Sequence, residues 1–179
     1  MPTVVIASPK GGAGKSTAAI LLGTELAHAG ASVVMLDCDP NHSLSLWADR
    51  APLPARMKVL SSVTESDIVR TIKQHDTDGQ IVIVDLEGVA SRLVSRAISQ
   101  ADLVITPMRA TTLDATIGVR ALQLIAEEEE ALDRRIPHAV VFTMTKAIRS
   151  KQHSGIAESL AAQGVDLIDP PLMERAAFS

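Results

Sequence analysis

The chain has 179 residues, 46% of them apolar but only 2% aromatic, and a formal net charge of −4. That length suits one domain with a real core. The core must be built from Ala, Val, Ile and Leu, a composition that fits strands covered by helices on both faces. No apolar run nears the roughly 20 residues of a membrane span, the N-terminus carries no export signal, and the lone Cys38 excludes an internal disulfide framework or a cysteine-clustered metal site.

Taken in order, Thr3-Val4-Val5-Ile6-Ala7 reads as a strand, and Ser16 to Ala29 as a helix stopped by Gly30. Ser32 to Leu36 is a second strand and Ser43 to Ala48 a short helix. Ala51-Pro52-Leu53-Pro54 breaks the chain. Lys58-Val59-Leu60 is an edge-strand candidate, followed by a helix from Thr64 to Gln74 capped by Ser62 or Thr64. After the turn Asp76-Thr77-Asp78-Gly79, Gln80 to Asp85 is the most apolar strand, and Arg92 to Ser99 a helix. Leu103 to Thr106 is a strand ended by Pro107, and Leu113 to Asp133 a long helix whose acidic run, Glu127 to Glu130, reads as a solvated end. His138 to Phe142 is a strand, Lys151 to Gln163 a helix ended by Gly164, and Val165 to Ile168 a last strand before Pro170-Pro171. Strands alternating with helices predict a doubly wound, mainly parallel α/β sheet. Ligands then bind beyond the carboxyl ends of the strands.

That is where the chemistry-bearing residues fall. Ser8-Pro9-Lys10-Gly11-Gly12-Ala13-Gly14-Lys15-Ser16-Thr17 follows the first strand and opens a helix. Its glycines allow backbone angles closed to other residues, so successive amides can face one concavity. Such a nest binds phosphate oxygens, and the positive end of the helix adds to it. Lys15 can reach the outer phosphates and the Ser16 hydroxyl can ligate magnesium. The plain phosphate-loop pattern needs a glycine where Pro9 stands, and the second lysine, Lys10, is additional to it.

Asp85 ends a buried strand and is followed by Leu86-Glu87-Gly88. A carboxylate there, beside a phosphate loop, typically holds magnesium, directly or through water. Asp37-Cys38-Asp39-Pro40 places two carboxylates at another strand end. One can support magnesium, the other orient an attacking water; Cys38 reads as packing. The five histidines show no metal-ligand spacing, and Trp47 reads as packing. Lys146, Arg149 and Lys151 form a basic cluster that can grip a phosphate backbone in a salt-sensitive way. Nothing aromatic stands among them to stack bases.

Lys10 to Thr17 resembles the deviant Walker A loop of the ParA/MinD ATPases, a P-loop NTPase family that adds an early lysine and often lacks the first glycine. Asp37-Cys38-Asp39-Pro40 is similar to the family's second motif, and Asp85-Leu86-Glu87-Gly88 to its Walker B end. Ala101 to Pro107, Asp114, Phe142 to Lys146 and Pro171 to Phe178 are similar to small plasmid-partition ParA proteins and to the VirC1 type. The resemblance spans nearly the whole chain and implies one P-loop ATPase domain over residues 1–179. It is without an N-terminal helix-turn-helix, and it stops at Ser179, where relatives usually continue through a further C-terminal helix.

The resemblance implies ATP or ADP with Mg²⁺ as cofactors and slow ATP hydrolysis. Lys10 would be the signature lysine reaching a partner's phosphates across a nucleotide-sandwich homodimer. Lys15 would be the cis lysine, and Asp39 would orient water. Ser16 and Asp85, with Asp37 close by, would hold magnesium. Gly11, Gly12, Ala13, Gly14, Lys15, Ser16 and Thr17 would cradle phosphate, and Thr143, Met144, Pro170 and Pro171 would flank adenine. The implied function is an ATP-dependent switch for plasmid or chromosome partition. It is cytoplasmic, and nucleoid-associated when ATP-bound through nonspecific DNA contacts at Lys146, Arg149 and Lys151. A ParB-like centromere-binding adaptor would stimulate it. The alternatives are a MinD-like membrane-positioning ATPase, though no amphipathic C-terminal helix is visible and no membrane is expected, or an ATP-binding scaffold with little turnover. A metabolic ligase with a related loop is opposed by Lys10.

Overall fold

A computed structural model of the chain describes residues 2–76, 79–88, 91–146 and 151–174. Its strands are β1 (Thr3–Ile6), β2 (Ser32–Cys38), β3 (Met57–Leu60), β4 (Gln80–Leu86), β5 (Leu103–Arg109), β6 (His138–Thr143) and β7 (Asp166–Ile168). Its helices are α1 (Lys15–His28), α2 (Ser43–Ala48), α3 (Ile68–His75), α4 (Arg92–Ile98), α5 (Thr112–Leu132) and α6 (Lys151–Ala162). The strands form one sheet in the order β3-β2-β4-β1-β5-β6-β7, and every pair is parallel. The chain starts near the middle, winds outward through α1 and α2 to one edge, then returns and reaches the other edge. Reversing direction moves the crossovers to the opposite face, as right-handed connections require.

Side-chain alternation along the strands builds a core on each face of the sheet, with a third cluster where Val140 and Phe142 of β6 meet Leu160 of α6. Val5, Val34, Leu36, Val82, Val84 and Val104 face Ile68, Ile72, Val94, Ile98 and Ile125 of α3, α4 and α5. Ile6, Val33, Met35 and Ile83 face Ala19 and Ala27 of α1 and Leu44 of α2, with Trp47 packed beside them. The same alternation decides where the carboxylates go. Asp37 pairs in register with Asp85, and Ile6 with Asp85 on the other side. Asp37 and Asp85 therefore share the face covered by α1, whereas Leu36, Cys38, Val84 and Leu86 turn to the other core.

Three expectations need correction. Pro107 does not end its strand: β5 runs on to Arg109, with Pro107 paired to Val141 of β6. Val104 donates to Pro137 on the β6 side, while Ile105 accepts from Ala7 on the β1 side. Alternation puts Pro107 back on the β1 side, where that strand has already ended. Its missing N–H therefore leaves no ladder bond unmade. The helix expected from Thr64 begins at Ile68, and neither Ser62 nor Thr64 caps it by side chain. Instead Asp67 Oδ1 accepts from the Thr64 N–H at 2.7 Å and forms a separate turn first. The acidic run is not wholly solvated either. Glu129 Oε1 accepts from the Ile136 N–H at 2.7 Å and so ties the end of α5 to the entry of β6. Arg149 and the segment beyond Glu174 lie outside the described residues.

Candidate functional site

Helix α1 begins directly at Lys15, with Gly14 as its N-cap. Gly14 has φ +86° and gives no side-chain cap, and the first turn holds no acid. The first amides of a 14-residue helix are thus left without acceptors, at the end where the macrodipole is positive. A Cβ on Gly14 would also stand 3.3 Å from Thr143 Cγ2, so the left-handed turn and the close approach both demand glycine. Thr143 Oγ1 donates to the Ala13 carbonyl at 2.8 Å, fixing the middle of the loop to the end of β6.

Lys15 is buried, 6% exposed, and its only hydrogen bond among the described residues is a 3.5 Å contact from Nζ to the Lys10 carbonyl. Both carboxylate oxygens of Asp85 are fully buried with no hydrogen-bond partner among the described residues. Burial pushes the Asp85 carboxyl up to about 7; nearby Ser16 and Lys15 pull against this, and Asp37 and Asp39 add to it. A buried ammonium and a buried carboxylate, both short of partners, are costly to leave so in a finished core. They fit a site completed by an anion and a divalent cation. Among the described residues no three His, Cys, Asp or Glu side chains gather to hold a metal by themselves. Magnesium, which keeps waters and leans on one or two protein ligands plus phosphate oxygens, suits that donor set.

The other aspartates are more committed. Asp37 Oδ2 accepts from the Ser45 N–H and hydroxyl, at 2.9 and 2.6 Å, and secures α2, while its Oδ1 stays buried and unpartnered. Asp39 Oδ1 accepts from the backbone and side chain of Asn41, both at 2.8 Å, closing an Asx turn. Cys38 is buried, and burial above all, with Asp37 and Asp85 adding, pushes its thiol up to about 12, so it stays protonated and packs.

Lys15, Ser16 and Asp39 open on a cavity of about 620 Å³, whose walls also include Gly12, Gly88 and Met144, while Asp37 and Asp85 lie buried behind its wall. Gly88 closes one side: a Cβ there would come 3.1 Å from the Gly11 nitrogen, so the loop after β4 rests on the phosphate loop. Of the four residues expected to flank a base, Met144 lines the cavity and is 41% exposed. Thr143 lies behind the loop. Pro170 and Pro171 are not in the cavity wall; the segment after them bonds to the end of β6 through Leu172 and Thr145. Lys146 and Lys151 are exposed beyond β6.

Lys10 is held within its own chain. Its Nζ is paired with Asp114 Oδ1, whose other oxygen accepts from the Thr111 hydroxyl at 2.8 Å. Thr111 in turn caps α5 by accepting from the Asp114 N–H at 3.1 Å. Burial alone raises the Asp114 carboxyl, but the bonds from Lys10 and Thr111, with the charges of Lys10 and Arg109, outweigh it and hold it below the usual carboxylate range. Arg109 also donates to the Gly12 carbonyl at 3.4 Å. Sequence reading missed Arg109 because it ended the strand at Pro107. It missed the Lys10–Asp114 pair because the two residues stand 104 apart.

Comparison with known proteins adds four findings. The family model described as VirC1 protein matches residues 1–179. The chain is 67% identical to Protein ParA of Rhizobium radiobacter over 180 residues, covering 100% of this chain and 81% of that one. Among solved structures, Cyanthece apo McdA superposes with TM-score 0.82 at 20% identity, covering 99% of this chain and 88% of that one. Cobyrinic acid a,c-diamide synthase of Mycobacterium smegmatis, solved with ADP and magnesium, gives 0.80 at 17%, covering 98% and 87%. Such neighbours share the P-loop NTPase fold, and the fold alone does not decide between a switch and a ligase.

Proposed function

The chain belongs to the VirC1 family, within the ParA/MinD-like ATPases, and we propose that it is an ATP-dependent dimerising switch for plasmid or chromosome partition. One observation carries the reading: a buried, partner-poor Lys15 and an orphaned Asp85 beside the uncapped start of α1, with a second lysine, Lys10, at the rim. A ligase needs the first part of that arrangement. Only a switch that senses a second nucleotide needs a lysine that can leave its own chain.

In this reading the amides of Gly11 to Thr17 and the Lys15 ammonium hold the phosphates. The Ser16 hydroxyl and Asp85 hold Mg²⁺, with Asp37 supporting it from the neighbouring strand. The ion, when bound, neutralises charge on the phosphoryl oxygens. Asp39, freed on its second oxygen, orients the water whose oxygen attacks the terminal phosphorus as the bond to the ADP oxygen breaks. Lys10 leaves Asp114 and supplies charge to the partner's transferring phosphoryl group, the role an arginine finger plays in trans. Met144, which lines the cavity, flanks the base, and Thr143 fixes the loop from behind. Lys146, Arg149 and Lys151 contact nonspecific DNA, and a ParB-like adaptor stimulates hydrolysis. The protein works in the cytoplasm, on the nucleoid when ATP-bound; no helix among the described residues is long and apolar enough to cross a membrane.

The test is sedimentation with and without ATP and Mg²⁺. Wild type should shift to dimer, and Lys10→Ala should stay monomeric while still binding nucleotide. A dimer indifferent to nucleotide would sink the proposal.

A further inference from the structure

We propose that the groove between α3 and α4 is a separate contact surface for the phosphate backbone of nucleic acid. The groove, about 490 Å³, is lined by Ser66, Val69, Arg70, Lys73, Gln74 and Arg96. Three cations line it and no acid does. Arg70 and Lys73 stand one helical turn apart on α3, so their side chains rise from the same face. Arg96 meets them from α4. All three are exposed, and none of their side-chain nitrogens has a hydrogen-bond or ion-pair partner among the described residues. The neighbouring acid Asp67 is turned away, onto the Thr64 N–H. On a chain of net charge −4, a concave stretch with only positive charge raises the local concentration of a polyanion.

The chemistry favours a nucleic acid strand over other anions. Two of the three cations are arginines, whose planar fork matches phosphate oxygens. Ser66 and Gln74 add uncharged donors along the same face. No aromatic side chain lines the groove, so bases have nothing to stack on and contact is blind to sequence. The exposed large apolar residues, Leu46, Leu113 and Met144 among them, all lie elsewhere, so nothing here can enter a bilayer. A plainer role exists for two of the cations. Lys73 and Arg96 sit in the last turns of α3 and α4, where positive charge favours the helix. Arg70 is the third residue of α3, in its first turn, and gains nothing that way. The groove is also distinct from Lys146 and Lys151, since β1 and β5 lie between β4 and β6 in the sheet.

This surface shares a DNA partner with the proposed function but neither its residues nor its nucleotide dependence. It is therefore tested with and without ATP. Binding of the full chain to a random-sequence duplex, labelled for anisotropy, is measured from 50 to 200 mM KCl. Three phosphate contacts should contribute a slope of about −2.7 in log K against log salt, or roughly 40-fold in affinity over that range. Arg70→Gln/Lys73→Gln/Arg96→Gln should flatten the slope by about that amount, while Arg70→Lys/Arg96→Lys should keep it. Nucleotide binding and the thermal midpoint check that both variants fold. If the Gln variant keeps the wild-type affinity and slope, the groove is not a DNA surface. The same holds if anionic phosphatidylserine vesicles, rather than DNA, lose binding in it. Lys10→Ala separates the two ideas: it should remove only ATP-linked binding and leave the groove's contribution to the salt slope intact.

Discussion

Lys10 and Lys15 stand five residues apart in one loop and occupy opposite surroundings. Lys15 is buried at the base of the cavity, reaches only a backbone carbonyl, and faces a carboxylate with no partner of its own. Lys10 is a third exposed and already has a complete partner in Asp114. The inner lysine is short of an anion and must receive one; the outer lysine has an anion and must be drawn off it. In the proposed switch the first difference accounts for binding and the second for the decision to dimerise.

The contrast can be broken at each end. The largest effect is expected from Lys10→Ala: hydrolysis in the presence of DNA and adaptor should fall on the order of 10³-fold, with monomer nucleotide affinity nearly unchanged, read by phosphate release and calorimetry. A parallel loss of affinity would erase the distinction between the lysines. Next comes pH. Asp85 has its folded pKa raised to about 7 above an unfolded value near 3.9, so its contribution to stability is full below the unfolded value and is lost as pH rises through 7. Without magnesium, chemical unfolding should show a loss on the order of 3–4 kcal/mol between pH 4 and 8, and Asp85→Asn should flatten that limb.

Lys15→Ala should weaken nucleotide binding roughly 10- to 100-fold, the range for a charged hydrogen bond, without lowering the stability of the nucleotide-free protein. A large stability loss would mean Lys15 is satisfied at rest. The smallest effect is sought at Asp114. Its depressed pKa contributes stability above the unfolded value that is lost as pH falls through the folded one. Asp114→Asn should cost about 1 kcal/mol at pH 7, because the pair is partly exposed, and progressively less as pH falls through the folded pKa. It should also let dimers form at lower ATP, measured by light scattering.

Much of this was legible in the sequence because it is local. Apolar runs, turn residues and the glycine-lysine loop each announce themselves within a few residues, and the parallel order follows from strand–helix alternation. Asp37 and Asp85 were placed at strand ends by reading alone; that they share one face needed the register. What escaped was set by distance. Pro107 reads as a stop unless one knows that β1 has ended beside it. Thr64 reads as a cap until Asp67 takes its N–H. Lys10 meets Asp114 where the loop after β1 reaches the start of α5, and the three cations of the α3–α4 groove meet because α3 and α4 pack on one face of the sheet.

Helix α5 runs about 31 Å from end to end at 1.5 Å per residue. Its first turn grips Lys10 through Asp114; its last turn grips the entry of β6 through Glu129. Strand β6 ends at Thr143, which holds Ala13, three residues beyond Lys10. The phosphate loop is thus one link of a closed mechanical ring. Opening the ring at Lys10 leaves the loop tethered from behind, so the lysine can swing outward while the cradle for phosphate keeps its shape.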